Sequence, residues 1–225
     1  MGAIDQSGFE IMPDVIDDHT LSLIVGELTA SKILRSRAGM RHALQLRSIW
    51  RLATGTLLMP IASSVLGKSA VPFRATLFDK SSRSNWLVVW HQDTALPLES
   101  RTDLAGWGPW SIKEGVICGH APASALERIL AIRVHLDESD DSNGPLRVLP
   151  GTHTMGVLTD ARITELTHNI VQVECHVARG GVLLMKPLLV HASSKAVSES
   201  LRRVVHIEYA TSLLLGGGKL RALRP

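Results

Sequence analysis

The second half of the chain alternates apolar and polar residues with a period of two, the pattern of half-buried β-strands. The clearest case is residues 129–137. One face carries Leu130, Ile132, Val134 and Leu136, and the other carries Ala131, Arg133, His135 and Asp137. Residues 201–210 alternate in the same way. An apolar face must be covered, whereas a mixed face can line a cavity, so this pattern predicts two packed layers.

Short strands separated by turn residues continue this pattern over most of the chain. Further strands are predicted at residues 71–79, 86–93, 115–119, 146–149, 170–177, 182–185 and 188–193. Asn143-Gly144 is a strong turn signal between two of these segments. Many short strands preceded by helices indicate a mainly β fold with flanking α: a β-sandwich or jelly roll with N-terminal helices packed on one sheet.

The N-terminal part is predicted to be helical. Residues 17–32 are amphipathic, with an aspartate at the start that can cap the helix. Residues 49–66 favour one or two helices, interrupted at Pro60. We expect one domain over residues 1–225. Its parts are a helical region to about residue 70, a barrel core at about 71–210, and a flexible tail at 211–225.

Composition limits the partners. The net charge of +3 comes without a dense Lys/Arg run, which argues against nucleic acid. Cys118 and Cys175 form neither a disulfide framework nor a metal-ligand spacing, as in a reducing cytoplasm. No secretory signal is visible, and the apolar runs are too short or too interrupted to span a bilayer. We expect a cytoplasmic protein without a membrane span, either monomer or homodimer.

One strand carries an imidazole and a carboxylate two residues apart. In residues 86–93, alternation places His91 and Asp93 on one face, where they converge. This is two thirds of a 2-His-1-carboxylate site, which holds Fe(II) and leaves positions open for substrate and oxygen. The alternative is a histidine that pairs with an aspartate at a strand end.

Two later strands supply further polar side chains. His191 and Ser193 share one face of residues 188–193. Eleven residues after His191, Arg202 lies on the mixed face of its strand, where a buried unpaired cation would be costly. A dicarboxylate co-substrate would remove that cost, because guanidinium binds carboxylate in bidentate geometry. Arg203 is the alternative if the strand contains a bulge.

Together these segments resemble a known family. They are Trp90-His-Gln-Asp93, Asp137 with Asn143-Gly-Pro-Leu-Arg-Val-Leu-Pro-Gly-Thr-His153, His191-Ala-Ser193, and Arg202. From about residue 71 to 209 the chain resembles the phytanoyl-CoA dioxygenase family, Fe(II)- and 2-oxoglutarate-dependent oxygenases on a cupin-like double-stranded β-helix. The resemblance implies O2-dependent hydroxylation of a small molecule with release of succinate and CO2. Halogenating relatives lack the carboxylate ligand, which is present here.

The resemblance also implies a role for particular residues. The metal ligands are His91, Asp93 and His191. The residues for 2-oxoglutarate are Arg202, Ser193 and Lys80, the last of which is otherwise a solvent-facing lysine at a strand end. The substrate itself is not implied, because family members act on varied small molecules.

Other residues have two interpretations each. Residues 94–114 form a long irregular loop, either a lid or a segment fastened to the body by its tryptophans, including Trp107. Arg133, His135, Trp107 and His120 are candidates for substrate contacts; the alternative for each is a packing or hydrogen-bonding role. Two rival functions remain: a non-catalytic small-molecule-binding cupin-like barrel, and a metal-dependent hydrolase or isomerase. Dependence on 2-oxoglutarate distinguishes all three.

Overall fold

The computed structural model describes residues 2–33, 35–36, 39–81, 84–101 and 103–225, without the side chains of residues 35–36. The helices are α1 (Ala3–Ser7), α2 (Asp18–Ala30), α3 (Arg47–Thr54), α4 (Leu58–Leu66), α5 (Ala123–Leu126) and α6 (Asp160–Asn169), with 3-10 turns at Ala43–Gln45 and Thr152–Met155. The strands are β1 (Phe9–Met12), β2 (Arg35–Ser36), β3 (Gly39–Met40), β4 (Val71–Lys80), β5 (Val88–His91), β6 (Ala95–Leu98), β7 (Trp110–Lys113), β8 (Val116–His120), β9 (Ile129–His135), β10 (Leu146–Val148), β11 (Val173–Cys175), β12 (Val182–Met185), β13 (His191–Ser193), β14 (Arg202–Ala210), β15 (Leu214–Leu215) and β16 (Gly218–Lys219).

Two facing sheets form the body of the fold. The major sheet has the order β1-β12-β9-β14-β4-β3-β2, and the minor sheet has the order β11-β10-β13-β5. A three-stranded sheet, β6-β8-β7, and the β15-β16 hairpin complete it. Both main sheets are open rather than closed into a barrel. The prediction of a mainly β jelly roll with flanking helices is confirmed.

The outer face of the major sheet is covered by α2, α3 and α4. Ile132, Val205 and Ile207 are fully buried there, in one cluster with residues of the three helices. The hydroxyl of Tyr209 donates a hydrogen bond to the carbonyl of Ala53 in α3 at 3.0 Å. The predicted apolar face is therefore the one that packs on the helices.

A second apolar cluster lies between the sheets, and a third lies outside the minor sheet. Leu183 of β12 packs in one cluster with Val148 of β10 and with Leu189, so the two sheets meet face to face. On the opposite side of the minor sheet, α6 packs through Ile163 against Val190. Polar side chains also lie between the sheets: Lys80 of β4 is buried and donates a hydrogen bond to Ser193 of β13.

Two N-terminal elements differ from the sequence-based expectation. β1 lies in the region predicted to be helical, and it pairs antiparallel with β12 at the edge of the major sheet. The break between α3 and α4 falls at Gly55 rather than at Pro60. Pro60 lies in the first turn of α4, where its missing N–H leaves no intrahelical hydrogen bond unmade.

Two further segments are more regular than predicted. The stretch 94–114 contains β6 and β7, both of which pair with β8. The C-terminal segment forms the β15-β16 hairpin instead of a flexible tail, and Leu215 and Leu220 are buried. Leu220 also bridges to Leu98 of β6.

Within the described ranges, no single helix is long and apolar enough to span a membrane. α3 and α4 together pass that test by length and composition, but they are bent by 49° at the break between them. Both helices contribute buried residues to the cluster on the outer face of the major sheet.

Candidate active site

Two histidines and an aspartate converge at one end of the minor sheet. His91 ends β5 and His191 begins β13, and the antiparallel pairing sets the two residues opposite each other. Their ring centroids are 4.3 Å apart. Asp93 follows β5, where its backbone N–H donates to the carbonyl of Pro187 at 2.9 Å. The three side chains come together because adjacent strands carry two of them and the short segment between β5 and β6 carries the third.

Their ligand atoms share one small space. His91 Nε2 lies 3.6 Å from Asp93 Oδ1, and His191 Nε2 lies 3.5 Å from Asp93 Oδ2. Each Nδ1 lies 2.8 Å from a backbone carbonyl, that of Val89 for His91 and that of Leu189 for His191. A carbonyl only accepts, so each Nδ1 carries the proton and each Nε2 directs a lone pair at the shared space. This donor set fits a divalent first-row metal such as Fe(II).

The charges of these groups also suit a cation. Burial opposes ionisation of Asp93, but the two imidazoles outweigh it and hold the pKa of the carboxyl well below its usual range. Burial is the main cause that lowers the pKa of His191 to about 4, so this imidazole is neutral. Burial also acts to lower the pKa of His91, yet Asp93 raises it overall. A bound metal would displace the proton that Asp93 attracts to His91.

The loops around β13 fix the position of His191. The backbone N–H of Val190 donates to Thr152 Oγ1 at 2.9 Å, so the Pro-Gly-Thr-His turn holds the residue before His191. Gln92 Nε2 donates to the carbonyl of Leu188 at 2.7 Å, which ties the segment after β5 to the segment before β13. His153 Nε2 lies 3.2 Å from the carbonyl of Asp5. Gln92 and His153 thus make hydrogen bonds that stabilise the loops.

A buried cationic group lies deeper between the sheets. Lys80 and Arg202 are paired across β4 and β14. Lys80 is fully buried, so the solvent-facing alternative is not realised, and its Nζ donates to Ser193 Oγ at 2.8 Å and to the carbonyl of Ser194 at 2.5 Å. Arg202 is 3% exposed, and Nη2 lies 3.4 Å from Ser193 Oγ. Among the residues described, Nε and Nη1 of Arg202 have no partner.

An unpartnered buried guanidinium needs an anion. Burial lowers the pKa of Arg202 to about 9. Burial, followed by the charges of Arg202 and Arg133, lowers the pKa of Lys80 to about 7. Both shifts have the same physical cause, since burial disfavours a positive charge that no neighbouring carboxylate compensates. A bidentate carboxylate would satisfy the free nitrogens of Arg202.

Arg203 is occupied elsewhere. Its Nε and Nη2 donate to the two oxygens of Asp137, each at 2.8 Å. β14 is bulged only between Glu208 and Tyr209, well after this point. Arg202 is therefore the arginine that faces the interior.

An open cavity of about 620 Å³ leads from solvent to His91 and Asp93. The polar residues that line it include Arg41, Arg74, His91, Gln92, Asp93, Thr94, Lys113, His120, Asp160, His206 and Glu208. His120 is exposed at this cavity, and its Nδ1 is 2.7 Å from Thr94 Oγ1. Of the candidate substrate contacts, His120 is the one that lies on this wall.

The other candidates lie elsewhere. Arg133 and His135 are buried beside the Lys80–Arg202 group and are not part of the lining of the open cavity. Trp107 is also absent from that lining: its Nε1–H donates to the carbonyl of Gly216 at 3.0 Å, and its ring stacks on Trp110. Trp107 fastens its loop to the C-terminal hairpin.

One ion pair of the cavity wall was missed by the sequence reasoning. Arg74 of β4 pairs with Glu208 of β14, and its Nη1 donates to the carbonyl of Ala95 at 3.0 Å. His206 Nε2 lies 3.9 Å from the same carboxylate. The alternation of residues 71–80 could have indicated that Arg74 lies on the inner face, because Arg74 and Lys80 occupy positions of the same parity in the strand.

The sequence profile of the phytanoyl-CoA dioxygenase family (PhyH) matches residues 35–204, about three quarters of the chain. The chain belongs to this family. A search of curated protein sequences gave no significant match.

Solved structures with the same fold include EctD, HygX and SnoN. EctD from S. alaskensis with bound Fe is 20% identical with a TM-score of 0.70, covering 99% of this chain and 84% of that one. HygX from Streptomyces hygroscopicus with nickel and 2-oxoglutarate bound is 16% identical with a TM-score of 0.67, covering 95% and 86%. SnoN, the non-heme alpha-ketoglutarate-dependent epimerase from nogalamycin biosynthesis, is 16% identical with a TM-score of 0.63, covering 92% and 79%. The fold is thus the double-stranded β-helix of these proteins.

Proposed function

We propose that the protein is a non-haem Fe(II)- and 2-oxoglutarate-dependent dioxygenase that hydroxylates a small molecule and releases succinate and CO2. The observation that carries the proposal is a pair of sites in one interior: a convergent His91, Asp93 and His191 set, and the buried, unpartnered guanidinium of Arg202. A metal site alone is compatible with several enzymes. A metal site beside a buried arginine with two nitrogens that no described residue satisfies suits a 2-oxo dicarboxylic acid, which offers a metal-binding end and a far carboxylate.

Each residue then has a defined task. His91, Asp93 and His191 hold the iron, which when bound supplies oxygen activation coupled to oxidative decarboxylation of 2-oxoglutarate. Arg202 binds the far carboxylate of the co-substrate together with Ser193. Lys80 orients Ser193 through its 2.8 Å hydrogen bond and adds a positive charge. The sheets on either side exclude water from this interior.

The open cavity is the proposed substrate site, with His120 and the Arg74–Glu208 pair on its wall. Hydroxylation is proposed over halogenation because Asp93 supplies the carboxylate ligand that halogenating relatives lack. We also propose that residues 1–225 act as one domain, since β1 joins the major sheet and the C-terminal hairpin contributes Leu215 to a buried cluster.

Succinate formation tests the proposal. Purified protein is incubated with Fe(II), ascorbate, 2-oxoglutarate and air, alone and with a panel of small molecules, beside His91→Ala as control. The expected result is slow succinate release by the wild type that a substrate accelerates, and none by the variant. Failure of the wild type both to release succinate and to bind 2-oxoglutarate anaerobically with Fe(II) would refute the oxygenase and favour a non-catalytic binding barrel.

A further inference from the structure

The inner face of the major sheet carries polar side chains in register across three strands. The neighbouring sets are Lys80 with Arg202; Phe78 with Val204 and His135; and Thr76 with His206 and Arg133. Arg133 thus lies level with His206, which is four residues along β14 from Arg202. Arg133 is a second guanidinium on the same inner face, displaced from Arg202 along the strands.

Arg133 is held in place without a charge partner. It is 5% exposed, and its Nη1 donates to His206 Nδ1 at 3.1 Å. Its guanidinium carbon lies 5.3 Å from the centroid of the Phe78 ring. Its Nε has no hydrogen-bond partner within the described part of the chain, where no carboxylate forms an ion pair with it. Beside it, His135 has both ring nitrogens unpartnered among the described residues.

The contacts of Arg133 place it next to the cavity that contains His91 and Asp93. Its Nη1 donates to His206 Nδ1 at 3.1 Å, and His206 lines that cavity together with His91 and Asp93. Along the strands, the level of Phe78, Val204 and His135 separates Arg133 from the Lys80–Arg202 pair. A co-substrate that reaches from the cavity to Arg202 would therefore pass Arg133.

We infer that Arg133 is a second guanidinium that binds the co-substrate, acting on the 2-oxo acid end near the metal while Arg202 binds the far carboxylate. This inference rests on the proposed function. In the described part of the chain, the interior side chains of Lys80, Arg133 and Arg202 have no carboxylate partner, and a dianion contacting two of them compensates charges that are otherwise unpaired. Removal of a charge-assisted hydrogen bond weakens binding by about 10- to 100-fold.

Two ligands and two variants separate the roles of the arginines. The ligands are 2-oxoglutarate and 2-oxopentanoate, which has the same chain length but no far carboxylate. The variants are Arg133→Met and Arg202→Met, with Arg133→Lys as the charge-conserving control. Affinities are measured anaerobically with Fe(II) by calorimetry. We expect Arg133→Met to bind both ligands about 10- to 100-fold more weakly and Arg133→Lys to recover part of the loss. Arg202→Met should weaken 2-oxoglutarate alone and erase its advantage over 2-oxopentanoate.

A second readout separates binding from a structural role. Because Arg133 is buried without an ion-pair partner, Arg133→Met should keep or raise the melting temperature of the ligand-free protein, and should bind Co(II) as tightly as the wild type or more tightly. A lower melting temperature together with lost Co(II) binding would show a structural role and overturn the inference.

The binding data can overturn it in two more ways. Wild-type affinity of Arg133→Met for both ligands would refute any contact with the co-substrate. A loss confined to 2-oxoglutarate would place Arg133 at the far carboxylate instead of the metal end. Absence of 2-oxoglutarate binding by the wild type is a different outcome, since it refutes the proposed function itself.

Discussion

The two faces of β14 and β9 belong to the same strands yet have opposite chemistry. On the outer face, Ile132, Val205 and Ile207 pack on the helices with no exposed surface. On the inner face, Arg133 and Arg202 are nearly as buried, but each keeps at least one nitrogen that no described residue satisfies. Burial is almost equal on the two faces, so what differs is whether each buried group is satisfied.

This difference separates stability from function. Apolar side chains on the outer face stabilise the fold through burial, at roughly 25 cal/mol for each Å² removed from water. Buried polar groups without partners cost about 1–3 kcal/mol each, so the inner face opposes folding until a ligand arrives. Substitutions on the outer face should therefore change stability, and those on the inner face should change ligand binding.

The largest expected effect comes from a metal ligand. His191→Ala removes one of two imidazole donors, and metal affinity should fall by more than about 100-fold, beyond the effect of losing an outer-shell partner. Fe(II)-dependent succinate formation should fall to background. Co(II) titration followed by absorbance measures the first and succinate release the second. Tight Co(II) binding by this variant would contradict the assignment of His191 as a ligand.

The next effect lies on the outer face. Ile207→Ala leaves a cavity beneath the helices, and the free energy of unfolding should fall by about 2–4 kcal/mol. Anaerobic affinity for 2-oxoglutarate, measured well below the unfolding temperature, should stay within twofold of wild type. Urea denaturation gives the stability change. A large loss of co-substrate affinity in the folded variant would break the division between the two faces.

A smaller effect concerns pH. The pKa of Lys80 is lowered to about 7, mainly by burial and then by neighbouring arginines, and a dianion binds better when Lys80 is protonated. Affinity for 2-oxoglutarate should therefore be greatest below pH 7 and fall above it, by up to about tenfold per pH unit. Lys80→Met should remove this dependence, as calorimetry from about pH 6 to about pH 9 would show.

The same pKa shift has a consequence for folding. The unfolded chain keeps the Lys80 proton up to about pH 10.5, whereas the folded protein releases it near pH 7. Stability of the ligand-free protein should thus rise with pH in that window. An equal rise in Lys80→Met would mean that another group causes it.

The smallest effect is expected one residue from Arg202. Arg203→Gln breaks the bidentate pair with Asp137, a partly exposed contact, and should cost about 0.5–1 kcal/mol of stability. Affinity for 2-oxoglutarate should not change. The comparison with Arg202→Met tests which arginine faces the interior, and a weaker co-substrate affinity in Arg203→Gln would favour the alternative arginine.

Much of this division was readable from local patterns. The period of two assigned Val205 and Ile207 to one face and Arg202 and His206 to the other, because side-chain direction in a strand follows from the backbone alone. The prediction that Asp17 caps α2 also needed only local sequence, and its carboxylate accepts the N–H of Thr20 at 2.8 Å.

Features that depend on distant partners were not readable. β1 becomes a strand only because the edge of β12 is available to it, a tertiary effect that overrides local propensity. Trp107 was a candidate for the cavity wall, but its position depends on the C-terminal hairpin more than a hundred residues later. The Arg74–Glu208 pair likewise depends on the β4–β14 register.

The position of β5 gives the proposed metal site another consequence. β5 is the last strand of the minor sheet, with β13 as its single neighbour there, and the register between them shifts after His191. An ion bound by both His91 and His191 would link the edge strand to its neighbour and stabilise it against local unfolding. Amide hydrogen exchange at residues 88–91 should then slow sharply on metal loading, so that iron supply sets how long this edge of the protein resists local unfolding.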